Sequence, residues 1–159
     1  ISENICRFGE TDSDKIVAAA KLAGVHELIL HLPDGYDTNI GANGGVLSGG
    51  QRQRIGLARA VYGDPCLLIL DEPNSNLDDQ GEKQLAATIQ QVKSRGCTVV
   101  VITHRTLLLS IVDKVLVLKA GATAAYGPRE KVMEHLREQA RANVESPTGP
   151  TIVKQNESA

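Results

Sequence analysis

The chain has 159 residues, 42% hydrophobic and 23% charged, with a formal charge of −2; this is ordinary globular composition for one core, and it offers no basic surface on which nucleic acid would bind. No apolar run approaches the roughly 20 residues that span a bilayer, and no charged-then-apolar leader opens the chain. The cysteines, Cys6, Cys66 and Cys97, are odd in number, and Cys66 and Cys97 adjoin apolar runs, so they read as buried free thiols of a reducing, cytosolic compartment.

From Ser2 to about Leu32 the pattern is helical. Ser2 is a candidate cap of a short turn, Ile16, Ala19, Ala20, Leu22 and Ala23 recur at helical spacing after Thr11, Ser13 and Asp14, and 25–32 reads as a second short helix. Pro33-Asp34-Gly35-Tyr36 is a turn, and Gly41, Gly44 and Gly45 make a glycine-rich loop leading to Ser48. Good helix formers fill 51–61, with Ile55, Leu57, Ala58 and Val61 as an inward face.

Two continuous apolar runs, 66–70 and 98–103, are separated by a polar helical stretch from Asp79 to about Arg95. Strand, helix, strand with both runs apolar on each face predicts a buried parallel pair joined by a right-handed crossover. The runs 115–118 and 122–126 flank Lys119-Ala120-Gly121 and predict an antiparallel hairpin added to the sheet edge. A helix follows from Pro128 to about Ala142, and the Ser-, Pro- and Gly-bearing tail 144–159 reads as mobile.

Chemistry concentrates between 47 and 104. Ser48, Gly49 and Gly50 stand just before a helix, where unpaired N–H groups and the positive end of the macrodipole favour an anion. The same tripeptide is also an ordinary N-cap. Asp71 and Glu72 end the first apolar strand, the edge at which open α/β sheets bind ligands. His104 follows the second strand and falls at the same edge, although a lone histidine there is more often structural or exposed. Asp78 reads as the N-cap of the next helix. His26, His31 and His135 are placed on helix surfaces, and no metal cluster is indicated.

Leu47-Ser48-Gly49-Gly50-Gln51 followed by Arg52-Gln53-Arg54 and Ala58-Arg59-Ala60 resembles the signature motif of ATP-binding cassette (ABC) ATPases. Cys66-Leu67-Leu68-Ile69-Leu70-Asp71-Glu72-Pro73 resembles their Walker B segment, Asn76-Leu77-Asp78 their D-loop and His104 their switch histidine. The phosphate loop G-x-x-x-x-G-K-[ST] occurs nowhere in the chain. The resemblance implies an α/β, P-loop NTPase-like fragment. Residues 1–62 would be the helical subdomain, 63–143 the C-terminal half of the RecA-like core with parallel strands, and 144–159 a tail. ATP and Mg²⁺ are implied, with Ser48, Gly49, Gly50, Gln51 and Asp78 on nucleotide across a dimer, Asp71 on Mg²⁺ through water, Glu72 as general base and His104 at the γ-phosphate.

Ile1-Ser2-Glu3-Asn4-Ile5 and Leu32-Pro33-Asp34-Gly35-Tyr36-Asp37-Thr38 are similar to exporter segments, although Asn39-Ile40-Gly41 replaces the acidic residue, Val and Gly of many exporters. Val25-His26-Glu27-Leu28-Ile29-Leu30 and Asn74-Ser75-Asn76-Leu77-Asp78 look most like ATPases of bacterial type I protein secretion. That resemblance implies a second ABC subunit in a homodimer, a transmembrane domain on the same polypeptide, a periplasmic adaptor, an outer-membrane channel, and a place at the cytoplasmic face of the inner membrane. The family architecture implies an upstream half that carries the phosphate loop, and without that loop the isolated chain is expected to be inactive. Two other functions stay open: a non-transport ABC ATPase of DNA repair or chromosome maintenance, and a non-catalytic fragment that completes another subunit's site.

Overall fold

The computed structural model describes residues 1–41 and 45–145; the expectations for Gly44 and for the tail beyond 145 lie outside them. The chain divides into two compact units, Ile1–Ile111 and Val112–Ala159.

The first unit opens with helices α1 (Ser2–Ile5), α2 (Ser13–Leu22) and α3 (His26–Leu30), a 3₁₀ turn at Gly35–Asp37, and α4 (Gly49–Val61). Ser2 does not cap α1; Ile1 holds that position without a side-chain bond. Asp12 caps α2 by accepting the Lys15 N–H at 3.1 Å. His26 is not simply on the surface, because its Nδ1 lies 2.9 Å from the hydroxyl of the half-buried Tyr36. After α4 come β1 (Leu67–Asp71), α5 (Asp79–Ser94), β2 (Thr98–Ile102) and a short α6 (Thr106–Ser110). The last was not legible in the sequence, since five residues are too few to establish a period.

Strands β1 and β2 are parallel, in register from Leu67↔Thr98 to Asp71↔Ile102. The expected burial on both faces does not occur. Leu68 and Leu70 join the core with Leu85, Ile89 and Val92 of α5, whereas Leu67, Ile69, Val100 and Ile102 are 46–62% exposed on the alternate positions. The strand period of two assigns each residue to one face, and α5 supplies packing to only one of them. Cys66 is likewise exposed rather than buried and Cys97 half-buried, both at the starts of the strands; only Cys6 is buried.

The second unit contains β3 (Lys114–Lys119), β4 (Ala122–Pro128) and α7 (Arg129–Glu145). The expected hairpin forms, with a register irregularity between Val117 and Leu118. Ala120 and Gly121 have φ of 50° and 77°, the left-handed pair that a two-residue turn needs to match strand twist. Among the described residues the hairpin is a two-stranded sheet of its own, so the expected addition to a sheet edge is not seen. Among the described residues no helix is long and apolar enough to cross a membrane.

Candidate functional site

Parallel pairing sends both strands out at one edge, so Asp71, Glu72 and His104 emerge together. Asp71 is the last paired residue of β1, and the Glu72 N–H extends the ladder by donating to the Ile102 carbonyl at 2.9 Å. Glu72 then turns the chain with φ of 42°, a left-handed conformation that costs a residue with a Cβ about 1–2 kcal/mol. Its Oε1 lies 3.0 Å from Nδ1 of His104. An ionised carboxylate only accepts, so the pair forms in the tautomer that carries a hydrogen on Nδ1. The two side chains are 41% and 76% exposed, a setting in which an ion pair adds at most about 1 kcal/mol to stability. The contact therefore adds little to holding the fold together.

Behind it lies a network the sequence did not announce. Asn74, 1% exposed, donates from Nδ2 to Glu82 Oε1 at 3.0 Å and accepts the Thr103 hydroxyl at Oδ1, 3.3 Å away. Thr103 Oγ1 in turn accepts the Arg105 N–H at 3.1 Å, and Arg105 Nε stands 3.7 Å from Glu82. These bonds tie the exit of β2, and so His104, to the turn after Glu72. No spacing rule joins positions 29 residues apart, and Asn74 alone gave no signal beyond its place before the D-loop.

Ser48 caps α4. Its Oγ accepts the Gln51 N–H at 3.2 Å while Gln51 Oε1 accepts the Ser48 N–H at 2.8 Å, a reciprocal capping box. Gln51 is thus turned onto its own helix end. The first carbonyl bond of the helix runs from Arg52 to Ser48, which leaves the Gly49 and Gly50 N–H groups without an intrahelical acceptor. With the exposed Ser48 hydroxyl, they suit a phosphate oxygen. Close approach explains Gly50: a Cβ there would lie 2.8 Å from the Asn76 carbonyl oxygen, and one on Gly49 would lie 3.3 Å from the Asn76 side chain.

Asp78 caps α5 through the Gly81 N–H at 2.8 Å and stands 3.6 Å from Nη2 of Arg54. Asp71 is exposed, and among the described residues no group of three or more His, Cys, Asp or Glu is arranged for a metal. A single exposed carboxylate is a donor that a Mg²⁺ with its other positions on water and phosphate could use. Among the described residues no hydrogen bond joins Ser48, Gly49, Gly50 or Gln51 to Glu72 or His104.

The family model described as ABC transporter matches residues 2–75. The type I secretion system ATP-binding protein PrsD of Rhizobium meliloti is 57% identical over 134 residues, 84% of this chain and 23% of that protein. The chain belongs to the ABC transporter family. An ATP-dependent lipid A-core flippase of Legionella pneumophila is 39% identical over 146 residues, 84% of this chain and 25% of the flippase. A bacterial Atm1-family ABC exporter, solved with ATP bound, superposes with a TM-score of 0.79 at 32% identity over 91% of this chain and 26% of the exporter chain. The fold is that of ABC ATPases, and the chain spans about a quarter of the length of these relatives. The ABC match runs through the helical segments and β1 to the turn that carries Glu72.

Proposed function

We propose that this segment is the signature-bearing part of the ATP-binding domain of an ABC exporter, and that the complete polypeptide hydrolyses ATP to drive type I secretion of proteins across a bacterial inner membrane. The observation that carries the hydrolytic reading is the Glu72–His104 contact at 3.0 Å beside Asp71, at the ligand-binding edge of a parallel pair. Likeness to PrsD, whose name is that of a type I secretion ATP-binding protein, supports the transport reading.

Glu72 takes a proton from water as the water oxygen attacks the γ-phosphorus and the bond to the ADP oxygen breaks. His104 occupies Oε1 of Glu72 and leaves Oε2 for that water. Asp71 would hold Mg²⁺, which when bound supplies positive charge to the phosphate oxygens. Ser48, Gly49 and Gly50 act on nucleotide bound by a second subunit in a homodimer, with Gln51 fixing the cap and Asp78 lying in the loop that crosses the interface. The open apolar face of Leu67, Ile69, Val100 and Ile102 suits the remainder of the ATPase core. Residues 1–62 then serve as the helical subdomain and 63–143 as the C-terminal part of the core, at the cytoplasmic face. A transmembrane domain on the same polypeptide, a periplasmic adaptor and an outer-membrane channel complete the assembly.

The test compares Mg²⁺-dependent ATP turnover of the 159-residue chain with that of the complete polypeptide. Turnover belongs to the complete polypeptide alone, because without a phosphate loop nothing positions the γ-phosphate beside Glu72 and loss of positioning removes many orders of magnitude. Robust turnover by the purified chain overturns this account.

A further inference from the structure

The Gln53 side chain spans two backbone groups that belong to different functional segments. It projects from α4, five residues after Ser48, and its Nε2 donates to the Glu72 carbonyl at 3.2 Å while its Oε1 accepts the Asn76 N–H at 3.1 Å. One partner is a C=O and the other an N–H, so a carboxamide satisfies both; a carboxylate, an ammonium or an alkyl group of similar length cannot. The carbonyl it grips belongs to the one residue of the edge with left-handed backbone, Glu72 at φ of 42°. The Glu72 backbone is held at two further points, its N–H donating to the Ile102 carbonyl and its carbonyl accepting the Ser75 N–H, at 2.9 and 3.2 Å. Gln53 alone among these grips comes from the signature helix. The Gly50–Asn76 approach brings the same helix and loop close enough for the fork to reach.

We propose that Gln53 is a positioning residue for hydrolysis, locking the backbone of Glu72 in its own subunit so that the carboxylate meets the attacking water. This rests on the proposed function above. It makes α4 a two-ended lever: the Ser48 end serves the partner's nucleotide and the Gln53 end sets the carboxylate that serves its own. Two residues one and a half turns apart on one helix therefore act on different composite sites.

The experiment uses the complete polypeptide as a dimer of differently tagged subunits and reads phosphate release in a single turnover. Gln53→Leu removes both bonds at similar size. Gln53→Glu keeps the acceptor for the Asn76 N–H but sets an oxygen against the Glu72 carbonyl. In steady-state turnover each single variant is expected to lower kcat roughly tenfold or more, with KM for ATP within about twofold, because a loosened catalytic group loses rate and not ground-state binding. With Gln53→Leu and Glu72→Gln in the same subunit, both lesions fall on one site and the other releases phosphate at the wild-type rate. With the lesions in opposite subunits, both sites are impaired and no wild-type phase remains. The reverse pattern, or the same pattern in both arrangements, overturns the role of Gln53, as does an unchanged kcat in both single variants. An inert Glu72→Gln substitution would overturn the hydrolytic reading itself, so the two failures are distinguishable. If Gln53→Leu fails to assemble, the mixed dimers are made with Gln53→Glu and the same outcomes decide.

Discussion

Replacing Gly50 with alanine tests the closest contact between the signature helix and the loop that follows Glu72. The added Cβ would stand 2.8 Å from the Asn76 carbonyl oxygen, a backbone atom that cannot swing aside as a side-chain tip would, so helix and loop must part by several tenths of an ångström. Overpacking of this kind costs about 1–3 kcal/mol. Alanine in a helix also recovers about 0.5–1 kcal/mol relative to glycine, which hides part of the clash. Gly56 supplies the reference, because it lies in the same helix and its Cβ would meet nothing within 4 Å. Gly56→Ala is therefore expected to stabilise the chain and Gly50→Ala to destabilise it, and the difference isolates the clash. With urea slopes of about 1–3 kcal/mol/M, the unfolding midpoints separate by on the order of 1 M. Both variants shifting upward together would refute the close packing of α4 on the loop, and with it the geometry on which the Gln53 fork depends.

Three further outcomes are expected. Asp78→Ala removes the acceptor for the Gly81 N–H and should cost about 0.5–2 kcal/mol in urea unfolding, with Asp78→Asn recovering most of it. Asn74→Ala leaves Glu82 and Thr103 without their buried partner and should cost about 1–3 kcal/mol; hydrogen exchange should quicken at Thr103–Arg105 more than in Asp78→Ala. Burial holds the Cys97 thiol above its ordinary pKa, with a smaller contribution from Cys66, whereas Cys66 is exposed. Iodoacetamide near pH 8 should then label Cys66 well ahead of Cys97, as read by peptide mass spectrometry. The folded state binds the Cys97 proton more tightly than the unfolded state. Its contribution to stability is accordingly complete below the unfolded pKa and lost as pH rises through the folded one.

Much of the site was legible because its residues are marked by local order along the chain: an apolar run ending in two carboxylates, a second run ending in histidine, and a glycine pair ahead of a helix. Parallel pairing turned the two strand ends into one edge and brought Glu72 to His104. The supporting residues were illegible for the opposite reason. Gln53 reaches Glu72 across 19 positions and Asn74 reaches Thr103 across 29, and polar side chains that bond at such separations leave no period to read. Apolar runs also conceal which face is covered. Continuous Leu, Ile and Val runs look buried on both faces, but β1 and β2 alternate between covered and open positions because α5 packs on one side only. Asp78 and Ser48 each carry the local capping role that any sequence reading would give them, which does not compete with a role across a dimer.

The measurement that bears most directly on a composite site is single-turnover phosphate release from dimers of the complete polypeptide that carry Ser48→Arg and Glu72→Gln. If Ser48 serves the nucleotide of the partner, lesions placed in opposite subunits coincide on one site, and the other releases one phosphate per dimer. Lesions placed in the same subunit disable both sites, and no phosphate appears. Equal release from the two arrangements would contradict action across the dimer, and release only from the same-subunit arrangement would place Ser48 on its own subunit's nucleotide.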